Sequence, residues 1–170
     1  NSKGKLPSFL ELQIGAAGYS YFDAVAPSLQ LNLATPVGKY AAFGVLLNAY
    51  SAIRSSTKVV NFWQGYTYRP KGVRAGFMLR FHTAPEKTHF YGELIGTVGR
   101  TYSTGARADP MFSKAKEFMG GANLGVNFKA NGNNFFGFYI GASLGNLNYD
   151  EAGRESIARV QIGGTYHFKL

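Results

Sequence analysis

The sequence predicts an all-β chain: eight antiparallel strands in an up-and-down meander, closed into a barrel. Three observations carry this expectation. Apolar residues recur at every second position along almost the whole chain, the connections alternate between short and long, and the strands keep their faces in phase across each short turn. The 170 residues are one domain's length. No linker or low-complexity block divides residues 1–170, so a single domain is expected.

The strands follow in order. The first is marked by Leu10, Leu12 and Ile14 on one face against Glu11, Gln13 and Gly15 on the other. The second sets Leu29, Leu31 and Leu33 against Gln30, Asn32 and Ala34, and Phe43, Val45 and Leu47 mark the third. The fourth is the clearest, with Val73, Ala75, Phe77, Leu79 and Phe81 alternating with Arg74, Gly76, Met78, Arg80 and His82. Phe90, Leu94 and Val98 give the fifth, and Phe118, Leu124, Val126 and Phe128 the sixth. Phe136, Phe138, Ile140 and Leu144 give the seventh, and Val160, Ile162, Tyr166 and Phe168 the eighth.

Short turns are expected at residues 35–39, 83–87 and 130–134. Long loops are expected near residues 17–27, 52–72, 101–117 and 146–155, so all short turns fall at one end of the meander and all long loops at the other. Residues opposed in an antiparallel pair share a face, which tests each hairpin. Centring the first turn places Leu31 with Phe43. Centring the second places Phe81 with Phe90, Phe77 with Leu94 and His82 with His89, leaving Glu93 diagonal to Arg80. Centring the third places Phe128 with Phe136, Val126 with Phe138, Leu124 with Ile140 and Asn127 with Gly137. All three keep apolar against apolar.

Composition narrows the class. Only 16% of residues are charged, while 22 Gly, 11 Tyr and 14 Phe are present. This excludes disorder and long surface helices. The absence of Cys excludes disulfides, thiolate metal sites and a Cys nucleophile. No run approaches the 18 or so apolar residues of a membrane helix. The chain opens on Asn1-Ser2-Lys3-Gly4-Lys5 without the apolar stretch of an export signal, and its compartment is not legible there.

A soluble calyx and a membrane barrel share this alternation and differ in which face is inside. Here the non-apolar faces mix Gly, Asn, Gln, Ser and Thr with few charges, a poor solvated exterior. Gly76, Gly121, Gly125, Gly137, Gly141 and Gly163 on those faces read instead as room for neighbouring side chains in a narrow lumen. The segments are also near the 9–11 residues of a tilted membrane-crossing strand. The expectation is a transmembrane β-barrel with its apolar face outward.

In the last strand Ile162, Gly164, Tyr166, Phe168 and Leu170 share one face and end on an apolar residue. This resembles the C-terminal signature of bacterial outer-membrane barrels, departing from it in closing on Leu rather than Phe. Together with the eight-strand meander and its loop asymmetry, the whole chain resembles the small eight-stranded outer-membrane barrels of the OmpA-domain and OmpX-like type. The resemblance implies short periplasmic turns, both termini in the periplasm, long extracellular loops and a Gram-negative cell envelope. It also implies aromatic girdles, for which Tyr19, Tyr21, Tyr40, Tyr50, Phe90, Tyr102, Tyr149 and Phe168 are the candidates.

Candidate sites follow from the phase. Arg74, Arg80, Glu11, Glu93 and Arg159 fall on the inward face, and a charge in a dry lumen must be paired. An Arg80–Glu93 salt bridge plugging the barrel is expected, with no water channel. Barrels of this size include lipid A deacylases and acyltransferases, which rely on a His with a Ser and an acid. Here His82, His89 and His167 all lie at the short-turn end, away from the outer leaflet where lipid A sits. No catalytic residue, metal or cofactor is therefore expected, although His82 and His89 face inward together.

The net charge is +9. Much of the excess falls in the long loops, at Arg54, Lys58, Arg69, Lys71, Arg107, Lys114 and Lys116, beside aromatic residues such as Trp63 and Tyr66. On a membrane barrel these read as a rim for lipopolysaccharide phosphates or a protein partner. The expected partners are outer-membrane lipid, lipopolysaccharide and possible subunits of a larger outer-membrane assembly, with no nucleic acid and no small-molecule substrate. The expected function is non-enzymatic: structural, adhesive or partner-binding. The alternatives are a lipid A-modifying enzyme and a soluble lipocalin-like binding barrel.

Overall fold

The computed structural model describes residues 8–19, 24–53, 56–61, 64–84, 87–104, 113–130, 134–150 and 153–170. Nine strands are present among them: β1 (Phe9–Tyr19), β2 (Ala24–Pro36), β3 (Ala41–Ser51), β4 (Ser56–Asn61), β5 (Gln64–His82), β6 (His89–Thr104), β7 (Lys114–Lys129), β8 (Phe135–Tyr149) and β9 (Gly153–Lys169). Each pairs antiparallel with its chain neighbour, except that β3 pairs with β5, and β1 pairs with β9. The eight long strands thus close into a barrel. The short β4 lies outside it, as an arm paired with residues Gln64–Tyr68 of β5.

Alternation decides the faces. The apolar set points outward: Leu124 is 66% exposed, Phe138 60% and Ile162 62%, whereas Asn123 is fully buried and Gln161 nearly so. A calyx with an apolar interior is the inverse of this arrangement, and the lipocalin-like alternative fails on it. Two apolar clusters share the lumen with its polar side chains. One holds Phe9, Leu46, Met78 and Ile95, and the other Tyr19, Tyr50, Met119, Leu147, Tyr149 and Ile157. Tyr19, Tyr50 and Tyr149, expected in a girdle, are therefore lumen residues: each shares the parity of the inward positions beside it, as Tyr50 does with Asn48. Tyr40, Phe90 and Phe168 are exposed on the outside, Tyr102 is half-buried, and Tyr21 lies outside the described residues.

Glycines make room for the larger lumen side chains. A Cβ on Gly125 would strike the ring of Tyr91, and one on Gly137 would strike Asn127 Oδ1. Gly153 opens β9 at φ 85°, in the left-handed region that favours glycine.

Two hairpins depart from the expected register. Leu31 pairs with Leu47, not Phe43, because β2 continues through Thr35 and Pro36 before Val37 N–H donates to Ala41 O at 3.0 Å. Phe81 pairs with Gly92, not Phe90, because Thr83 N–H takes the Phe90 carbonyl at 3.0 Å and moves the turn centre along the chain. Both slips are even, so no residue changes face. The third hairpin has the expected register, with Leu124 opposite Ile140 and Asn127 opposite Gly137.

Parts of the expected long loops are strand. β5 runs for 19 residues and β9 for 17, well beyond what a tilted membrane crossing uses. The β1–β2 connection is only residues 20–23, and the β8–β9 connection only 150–152. The end bearing the β4 arm is called the arm end below, and the opposite end, with the described terminal residues Ser8 and Leu170, the terminal end.

Candidate functional site

The barrel interior is organised around two arginines. On the terminal side Arg80 and Glu93 are direct cross-strand partners on β5 and β6. Arg80 Nε donates to Glu93 Oε2 at 2.8 Å, and its Nη1 donates to Glu11 Oε2 on β1 at 2.7 Å. The remaining carboxylate lone pairs are also used. Asn32 and Gln13 each donate to Glu11 Oε1 at 2.9 Å, and Asn123 donates to Glu93 Oε1 at 2.8 Å while accepting from Gln161 at 2.7 Å. The guanidinium lies 4.3 Å from the centre of the Tyr91 ring. A planar five-donor fork between two carboxylates suits the closed, dry setting that an ion pair needs when water is absent.

On the arm side Arg74 Nη1 donates to Glu117 Oε1 at 3.0 Å, its Nε to Asn48 at 3.1 Å and its Nη2 to Tyr19 OH at 3.1 Å. Glu117 Oε2 accepts from Thr101 at 2.7 Å and from Tyr50 at 3.1 Å. Arg159 is buried beside them, bonded through Nη2 to Ser143 at 3.2 Å. The expected Arg80–Glu93 bridge is present, but as a direct rather than diagonal pair and with Glu11 as a third member. Glu117 was hidden from sequence reasoning because Lys114, Lys116 and their neighbours resemble a loop. Its parity with Ala115 and Met119 is the signal that marks it as inward.

These buried side chains, Arg74, Arg80 and Arg159 with Glu11, Glu93 and Glu117, cancel in formal charge. The +9 is carried by the rest of the chain.

At the terminal mouth His82 is registered with Tyr91 and meets His89 diagonally, Nδ1 to Nε2 at 3.1 Å. His89 Nδ1 lies 2.7 Å from the Lys87 carbonyl, which can only accept, so Nδ1 carries the proton and Nε2 accepts from His82. His167 stacks at 4.0 Å on Phe9, with Nδ1 3.6 Å from Glu11. No group of three metal-ligating side chains forms among the described residues.

The rim residues separate. Arg69 is exposed and donates through Nε to the Ala52 carbonyl at 2.8 Å. Lys71, Lys114 and Lys116 are exposed on the outer face, with Lys71 and Lys114 registered on either side of Tyr102. Lys58 is on β4 opposite Tyr66, with its side chain outside the description, and Arg54 and Arg107 lie outside the described residues. Arg100, directly opposite Lys116, belongs with this group and was not singled out from the sequence.

A closed eight-stranded antiparallel barrel with an apolar exterior and an ion-paired lumen is the architecture of the small outer-membrane β-barrels. Neisserial surface protein A is one solved structure of similar fold, with a TM-score of 0.66 and 12% identity over 96% of each chain. The outer-membrane protein OprG of Pseudomonas aeruginosa is another, with a TM-score of 0.56 and 12% identity over 98% of each chain. No family model and no curated protein sequence matches the chain.

Proposed function

We propose that the chain is an integral outer-membrane barrel of a Gram-negative envelope, a single domain with a side-chain-filled lumen that acts through its outer wall and arm-end surface. The observation that carries this reading is the inversion of polarity: Leu, Ile, Val and Phe face outward on all eight barrel strands around a core whose buried charges cancel and in which Arg74 and Arg80 are ion-paired. Water is a poor solvent for that wall and hydrocarbon a good one. The termini face the periplasm and the arm end the cell exterior. There Arg69, Lys71, Lys114 and Lys116, with Arg54, Lys58 and Arg107, meet lipopolysaccharide phosphates or a protein partner, in a structural or adhesive role.

The hydrogen bond between His82 and His89 supports a non-enzymatic role, since it commits one ring nitrogen of each to the other. Fractionation is the test. Recovery in outer membranes, heat-modifiable migration on gels and an unchanged lipid A acyl pattern with and without the protein are expected. A detergent-free soluble monomer would overturn the reading, and an altered acyl pattern would overturn its non-enzymatic part.

A further inference from the structure

Resting on the membrane reading above, we infer that the outer wall of β6, β7 and β8 near the arm end binds one phosphorylated lipid. Its phosphate sits on Arg100, Lys116 and Lys114, and an acyl chain lies in the apolar groove below.

Arg100 and Lys116 are direct cross-strand partners and both are exposed. Like charges placed opposite each other on a sheet repel. None of Arg100, Lys114 and Lys116 makes an ion pair among the described residues. An anion between them turns that repulsion into attraction. A cleft of about 110 Å³ is present there, lined by Arg100, Tyr102, Lys114, Lys116 and Asn148, with one carboxylate, Asp150, also on its wall. The charge balance around the cleft favours an anion.

What lies beneath selects the kind of anion. One outward position along each strand, Val98 and Phe118 face each other, and one further, Gly96 and Gly120 do. Phe77 and Leu144 flank the glycines in the same row. Together these residues bound a groove of about 440 Å³ on the outer wall. Its floor at Gly120 is open, because a Cβ there would find only the Ile95 carbonyl, at 3.9 Å. A soluble phosphate or sugar polyanion would use the cations and leave the groove empty. A second copy docked symmetrically would set Arg100 and Lys116 against themselves. A lipid with a phosphate head matches both halves, since successive outward positions on a strand are only about 7 Å apart.

The full chain in neutral detergent micelles, titrated with bisphosphorylated lipid A and read by native mass spectrometry, tests this. Retention of one lipid A per barrel is expected. The Arg100→Gln/Lys116→Gln double variant should bind on the order of 30-fold more weakly, two interfacial cations having been lost. Gly120→Leu, which fills the groove from outside, should also weaken binding, and fully dephosphorylated lipid A should bind poorly to the unaltered protein. Heat-modifiable migration confirms that each variant is folded. Unchanged affinity in the charge variant, or equal binding of the dephosphorylated lipid, would overturn the inference. Displacement of lipid A by inorganic phosphate with no effect of Gly120→Leu would overturn it too, by leaving a free-anion site alone. These failures are separate from that of the membrane reading, which falls if the chain does not insert into phosphatidylcholine vesicles.

Discussion

Arg80 and Glu93 face each other across β5 and β6 and, with Glu11 from β1, tie together strands 69 residues apart in the chain. The bond is fully buried, so neither partner has water to fall back on. Removing the cation leaves two uncompensated carboxylates. Arg80→Gln should therefore cost about 3–5 kcal/mol in urea unfolding from lipid vesicles. The Arg80→Gln/Glu93→Gln double variant should cost less than the two single changes added, because both remove one shared interaction.

Glu117 is the carboxylate bonded to Arg74, and it also accepts from Tyr50 and Thr101. Glu117→Gln leaves the buried Arg74 without its anionic partner. A loss of about 3–5 kcal/mol is expected by the same unfolding measurement. Glu155→Gln, at a half-buried position near the start of β9, serves as the control and should change little.

Gly125 lies against the Tyr91 ring. Gly125→Ala overpacks the lumen and should cost about 1–3 kcal/mol. Adding Tyr91→Leu should recover part of that loss, since the clash is with the ring. Failure of the second change to help would place the strain elsewhere.

Leu124 and Asn123 are neighbours on β7 with opposite environments, the first exposed on the outer wall and the second buried against Glu93. Leu124→Arg should destabilise the inserted barrel by about 2–4 kcal/mol, the cost of a cation on the lipid side near mid-strand. Asn123→Arg should leave insertion intact and act through the lumen, by crowding Gln161 and Glu93. Equal tolerance at both positions would contradict the face assignment.

The period-two pattern made the faces legible in the sequence, because burial on either side of a sheet repeats every second residue. Register was less legible. The third hairpin was readable because its strands, ending at Lys129 and resuming at Phe135, are placed symmetrically about position 132. In the first two, Pro36 stays in the strand and Thr83 captures Phe90, and neither is visible in apolar periodicity. Tyr19, Tyr50 and Tyr149 were placed by type, as aromatics near strand ends, when parity was the stronger signal. Arg80–Glu93 followed from the rule that buried charge is paired. Glu117 required knowing that β7 begins as early as Lys114.

Two adjacent residues of β8 test the central claim most directly, since Phe138 is 60% exposed and Tyr139 only 4%. The chain has a single tryptophan, Trp63, so Phe138→Trp and Tyr139→Trp can each be made in a Trp63→Phe background as the sole fluorophore. The measurement is quenching in vesicles whose acyl chains carry bromine. Strong quenching of Phe138→Trp with little of Tyr139→Trp is the expected result; equal or reversed quenching would contradict an apolar wall in lipid around a polar, ion-paired interior.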